Sequence, residues 1–257
     1  MLGKLLKYEI PAMGRKLVPL YAAWAVTAIF LGLTTQSAES KSEFMVVISA
    51  LLYTAIATTI FVMTIILIVQ RYSNSLLGDE AYFNHVLPVS VSEHIGNKAI
   101  SATIWICVTI LVAVFTAILI GIGAIIVSGE FSFADFMHDF MRIQLPEHFL
   151  LYFIESLIMM IVGIVKTIMQ IYAAITIGHQ AQNHTTLASI GAYIALMIVE
   201  STVGRMLLPV FMKVQYNADG ILNFNMVFFP AVIAAIAFSA IYFFVCKYLM
   251  ENRLNLA

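Results

Sequence analysis

The stretch Ala99 to Val127 reads AISATIWICVTILVAVFTAILIGIGAIIV and carries no charged residue. A helix needs roughly 20 mostly apolar residues to cross the hydrocarbon core of a bilayer, because that core is about 30 Å thick and each residue rises about 1.5 Å. This run exceeds that length. Backbone groups in lipid must be paired within the segment, and the run is too long for a barrel strand, so a spanning helix is expected. Comparable runs recur on both sides of it. The chain of 257 residues is 62% hydrophobic and 11% charged, whereas a water-soluble domain carries about 25% charged residues. The expectation is an all-α, polytopic membrane protein.

Six transmembrane helices are expected, at about Leu17–Thr35, Phe44–Val69, Lys98–Val127, His148–Gly178, Thr186–Gly204 and Val227–Tyr248. No polar stretch reaches about 50 residues, the minimum for an independent soluble domain, so residues 1–257 are expected to form a single transmembrane domain. Basic residues precede the first apolar run as they do in a signal peptide, but that run is longer than a typical signal core, and a retained first helix is expected. An even number of spans puts both termini on one side. That side carries eight cations, Lys4, Lys7, Arg15, Lys16, Arg71, Lys98, Lys247 and Arg253, against Lys41, Arg142, Arg205 and Lys213 on the other. The excess assigns both termini to the cytoplasm.

Three connections carry further patterns. In residues 1–15, Leu2, Leu5, Leu6 and Ile10 share a face opposite Lys4, Lys7 and Glu9, which predicts an interfacial helix broken from the first span by Pro11 and Gly14. The segment Arg71 to Asn97, RYSNSLLGDEAYFNHVLPVSVSEHIGN, is far longer than a chain reversal needs. Leu87-Pro88 ends any preceding helix. Ser90 or Ser92 can cap a new, short cytoplasmic helix starting near Val91, with Glu93 in its first turn. On the opposite side, Phe133, Phe136, Met137, Phe140 and Met141 recur at helical spacing, either as a second interfacial helix or as an ordinary packed loop helix.

Charges inside spans are costly and point to pairing or to substrate contact. Glu155 and Lys166 lie in the fourth span and Glu200 in the fifth. Glu155 and Lys166 are about three turns apart and cannot touch, so Lys166 needs a partner elsewhere, such as one across a dimer seam, or must reach toward the interface. Met159 adds a flexible apolar surface in the same span. Glu155, Lys166, Glu200 and Met159 are therefore candidates for a substrate path or for intramembrane pairing. Cys107 and Cys246 sit in apolar runs and read as small hydrophobes. His179 and His184 alone are too few for a metal site, and none is expected. No phosphate-binding loop of the form G-x-x-x-x-G-K-[ST] occurs, and no nucleophile is placed near a histidine, so no catalytic residue is expected. No basic stripe suggests nucleic acid.

The segments KLLKYEI (4–10), LLGDEAYFNHVLPVS (76–90), IYAAITIGH (171–179) and NRLNL (252–256) resemble bacterial ABC type-2 exporter permeases. The resemblance implies a six-helix subunit in the bacterial cytoplasmic membrane that pairs with a second permease copy, identical or not. It implies a separate ABC ATPase subunit that binds ATP and Mg, with no cofactor held by this chain. It further implies that Leu76, Leu77, Gly78, Asp79, Glu80, Tyr82, Phe83, Leu87, Pro88 and Val89 form the coupling element seated on that ATPase. An amphipathic or hydrophobic cargo, including a peptide, fits this layout. Two other readings stay open: a subunit for immunity to, or sensing of, antimicrobial peptides, and a channel or membrane scaffold outside the ABC class.

Overall fold

The structure, a computed structural model, describes residues 2–35, 43–77, 90–128, 138, 142, 149–181, 184–212 and 224–252. They form six long helices: α1 (Leu2–Thr34), α2 (Glu43–Leu76), α3 (Val91–Ser128), α4 (Phe149–Gly178), α5 (Thr185–Met212) and α6 (Phe224–Asn252). All six are long and apolar enough to cross a membrane, and among the described residues there is no strand. The protein is an all-α, multi-pass membrane protein.

Two boundaries differ from the sequence expectation in an informative way. α1 runs unbroken for 33 residues through Pro11 and Pro19, so no break separates an N-terminal helix from the first span. A proline inside a helix removes one hydrogen bond and crowds the preceding turn. Here both prolines lie on exposed positions while Met13, Gly14 and Leu17 are buried between them, so packing on the other side holds the helix straight through. Gly14 is a contact glycine: a Cβ there would lie 3.0 Å from the Trp105 ring. The second difference concerns the helix starting at Val91. It is no separate short element but the first turns of α3, which continues to Ser128. Gly96 is the weakest helix former in its opening turns, and one glycine costs only about 1 kcal/mol.

The chain divides into two compact units, one comprising Met1–Leu6, Ile68–Thr103 and Leu150–Ala257, the other Lys7–Leu67 and Ile104–Phe149. The second unit is built on α1, α2 and α3. Gly14, Leu17, Tyr21, Trp24, Ala28 and Gly32 are buried at three- and four-residue spacing along α1, the stripe of a helix seated against neighbours. Gly14 meets Trp105, Tyr21 meets Thr109, and Gly32 meets Gly123, so α1 and α3 climb in parallel. At the far end the backbones touch, since a Cβ on Gly32 would lie 2.6 Å from the Ile120 carbonyl oxygen. Small residues of this kind let membrane helices approach closely. Hydroxyl pairs stitch the same unit: Tyr21 with Thr109 at 2.7 Å, Thr34 with Ser49 at 2.8 Å, and Tyr53 with Thr116 at 3.2 Å.

The first unit is organised around α4. The C-terminal half of this helix, from Ile168 to Gly178, is buried on nearly every side, whereas Phe149 to Met159 is exposed or half-buried all round. Gly178 lies so close to α5 that a Cβ would meet the Ser189 hydroxyl oxygen at 2.0 Å and its backbone nitrogen at 2.5 Å.

Candidate functional site

α2 and α3 flank the polar connection that the sequence singles out. They hold 34 and 38 residues, hence about 51 and 57 Å, well beyond a hydrocarbon core of about 30 Å. Their ends at the connection are rich in polar residues yet packed: Ser75, His94, Asn97 and Ser101 are buried. Ser90 caps α3 through a reciprocal box. The Glu93 N–H donates to the Ser90 hydroxyl and the Ser90 N–H to the Glu93 carboxylate, both at 3.3 Å. This arrangement satisfies two of the donors that every helix start leaves open.

The packing partner of these ends is the buried half of α4. Tyr72 of α2 and Tyr172 of α4 stack with ring centroids 3.8 Å apart and planes 8° from parallel. The Tyr72 hydroxyl is 2.8 Å from the Thr176 hydroxyl. Thr176 gives its proton to the Tyr172 carbonyl oxygen at 2.8 Å, so Tyr72 is the donor in the pair. Cys246 of α6 lies 3.9 Å from the same threonine and is fully buried. The Tyr172 hydroxyl donates to the Lys98 carbonyl oxygen of α3 at 3.2 Å. Beyond the helix end, His179 Nδ1 lies 3.0 Å from the Ile175 carbonyl oxygen and Nε2 lies 3.5 Å from the Ser73 hydroxyl. Nδ1 carries a hydrogen toward that carbonyl oxygen, which can only accept. Four helices thus meet at two tyrosines and one threonine. Asn97 Oδ1 and Gln170 Nε2 are buried beside no hydrogen-bond partner among the described residues.

The sequence-derived coupling residues fall on both sides of what is described. Leu76 ends α2 and is 1% exposed. Leu77 follows in a turn, its N–H bonded to the Ser73 carbonyl oxygen at 2.9 Å. Gly78, Asp79, Glu80, Tyr82, Phe83, Leu87, Pro88 and Val89 lie outside the described residues, as does most of the stretch around Phe133 to Met141. Of that stretch, only His138 is described.

Among the intramembrane candidates, the structure brings Lys166 and Glu200 together. The Lys166 ammonium donates directly to the Glu200 carboxylate, joining α4 to α5. Both side chains keep about a fifth of their surface exposed, at 20% and 24%. Tyr242 of α6 lies within electrostatic reach of Glu200. Glu155 and Met159 sit on the exposed half of α4, about 16 and 10 Å along the axis from Lys166. Among the described residues, no three His, Cys, Asp or Glu side chains gather in a metal-binding group.

No protein-family model, curated protein or solved structure matches the chain. The tyrosine–threonine knot is the part of the site that sequence reasoning missed. Tyr72, Tyr172 and Thr176 are separated by up to 104 residues, and each alone looks like an ordinary residue at a span end. The one available signal was position: Tyr72 stands next to Arg71, where apolar patterning gives way to polar, and Tyr172 lies in the IYAAITIGH run.

Proposed function

We propose that the chain is the membrane-spanning subunit of an ATP-driven exporter of the ABC type-2 permease kind. It works as one of two permease copies in a bacterial cytoplasmic membrane, with both termini inside, and a separate ATPase subunit binds and hydrolyses ATP. One observation carries this reading. The helices flanking the 71–97 connection outrun the bilayer, and their ends are locked onto the buried half of α4 through Tyr72, Tyr172 and the Lys98 carbonyl. A displacement applied at the connection is thereby delivered to α4, because stacked rings and hydrogen-bonded hydroxyls move as one body. α4 carries Lys166 and, beyond it, the exposed apolar stretch with Met159. Movement of α4 alters the surface offered to an amphipathic or hydrophobic cargo such as a peptide.

The test is charge reversal in the connection. Asp79→Lys with Glu80→Lys is expected to abolish co-purification of the ATPase subunit, or to remove the stimulation of its ATPase activity in reconstituted vesicles. Unchanged binding together with unchanged stimulation defeats the proposal. A purified chain that conducts ions in vesicles without any ATP-hydrolysing partner supports the channel reading instead.

A further inference from the structure

The N-terminal part of α1 bears a surface independent of the tyrosine knot. At about 100° per residue, Lys7, Tyr8, Pro11, Arg15 and Val18 fall within an arc of about 100°, turned away from the buried stripe of Leu17, Tyr21 and Trp24. All five are exposed, Tyr8 at 77%. Glu9, the only acidic residue in α1, falls outside this arc. Farther along the helix the same arc becomes wholly apolar: Ala22, Val26, Ile29 and Leu33 follow, all exposed.

The spacing along the axis matters as much as the arc. Arg15 lies about 28 Å from Thr34 at the other end of α1, close to one hydrocarbon thickness of about 30 Å. With Thr34 at one bilayer surface, Arg15 stands at the level of the opposite headgroups, and Tyr8 and Lys7 stand about 10 and 12 Å farther out along the axis. From Val18 to Ile29 the apolar track covers about 16 Å, which is the depth of one leaflet. Cations and a hydroxyl at headgroup level, continuous with an apolar track one leaflet deep, have the shape of a phospholipid. Tyr8, on the water side of Arg15, offers its hydroxyl to the outer part of a headgroup.

We infer that this face of α1 binds an anionic phospholipid of the leaflet holding the helix N-terminus. The lipid phosphate sits on Arg15, while Lys7 and the Tyr8 hydroxyl hold the outer part of the headgroup, and one acyl chain lies along Ala22, Val26 and Ile29. The site selects for lipid charge, which distinguishes it from the rest of the lipid-facing surface.

Both native tryptophans are buried off this arc, so a third is placed on the exposed track as Val26→Trp, and quenching of its added fluorescence by lipids brominated on the acyl chain reports occupancy. The full chain is reconstituted in vesicles of phosphatidylcholine with either brominated phosphatidylglycerol or brominated phosphatidylcholine at equal fraction. The reporter chain is expected to favour phosphatidylglycerol, and Lys7→Gln with Arg15→Gln to lower that preference about thirtyfold, the weight of about two basic residues at a membrane surface. Lys16→Gln with Lys247→Gln removes the same charge off this arc and is expected to keep most of the preference. Circular dichroism of both double variants controls for folding. High salt should weaken the reporter chain's preference, whereas millimolar inorganic phosphate should not. The inference is overturned by a reporter chain without preference, by equal losses in the two double variants, or by displacement with inorganic phosphate, which would indicate a free-phosphate site.

Discussion

Tyr72 and Tyr172 lie face to face across α2 and α4, 3.8 Å apart, and their hydroxyls bond in different directions, one to Thr176 within α4 and the other to the backbone of α3. The stack joins α2 and α4, the Tyr172 hydroxyl ties in α3, and Thr176 reaches Cys246 of α6. Replacing a ring and replacing a hydroxyl should therefore have separable effects. Tyr172→Ala removes a large, fully buried side chain and is expected to destabilise the protein by about 3–5 kcal/mol. Tyr72→Phe keeps the stack and is expected to cost about 0.6 kcal/mol, the average for a hydrogen bond between membrane helices. Unfolding titrations in mixed micelles measure both. Equal costs for the two variants would contradict the geometry.

The glycines divide into two kinds, which one substitution distinguishes. At Gly178 an added methyl group collides with the Ser189 backbone, whereas at Gly163 it meets nothing within 4 Å. Gly178→Ala is expected to destabilise and to resist rescue by Ser189→Ala, because the clash includes backbone atoms. Gly163→Ala is expected to stabilise by up to about 1 kcal/mol through helix propensity. The same unfolding titration tests both signs.

The Lys166–Glu200 pair lends itself to a double-mutant cycle. Lys166→Met leaves a carboxylate in apolar surroundings without its cation and is expected to destabilise by about 2–3 kcal/mol, somewhat below the range for fully buried pairs because both side chains retain some exposure. Lys166→Met with Glu200→Leu is expected to recover most of that loss. Additive losses in the double variant would show that the two residues act separately.

The cap of α3 is local, and its removal should have a local effect. Ser90→Ala deletes the acceptor for the Glu93 N–H and is expected to cost about 1 kcal/mol. Hydrogen exchange should accelerate at residues 92–94 and leave the middle of α3 unchanged.

The spans were legible in the sequence because apolar length is a direct requirement of the bilayer, and each of the six runs falls on a helix. The cap of α3 was legible only as one of two serines, Ser90 or Ser92, after the Leu87-Pro88 stop, and the fold uses Ser90. The ends of the helices were not. QRYSNSLL and VSEHIGNK are polar enough to read as connection, yet Ser75, His94 and Asn97 are buried by neighbouring helices that hydropathy along one segment cannot register. Pro11 and Gly14 were misread for a related reason, because a glycine that admits a tryptophan ring and a glycine that ends a helix look alike in sequence. Lys166 needed a partner on electrostatic grounds, but only the fold could identify Glu200, 34 residues away.

That ion pair also bears on how the chain is assembled during synthesis. Released singly from the insertion machinery into lipid, α4 would carry a bare ammonium and α5 a bare carboxylate, each costing about 2.5–3.5 kcal/mol at the bilayer centre. Released together as a hairpin closed at Gly178 and Ser189, the two segments enter as a neutral couple. α4 is thus best retained beside the translocation pore until α5 has been made, and the order of translation becomes part of the folding pathway.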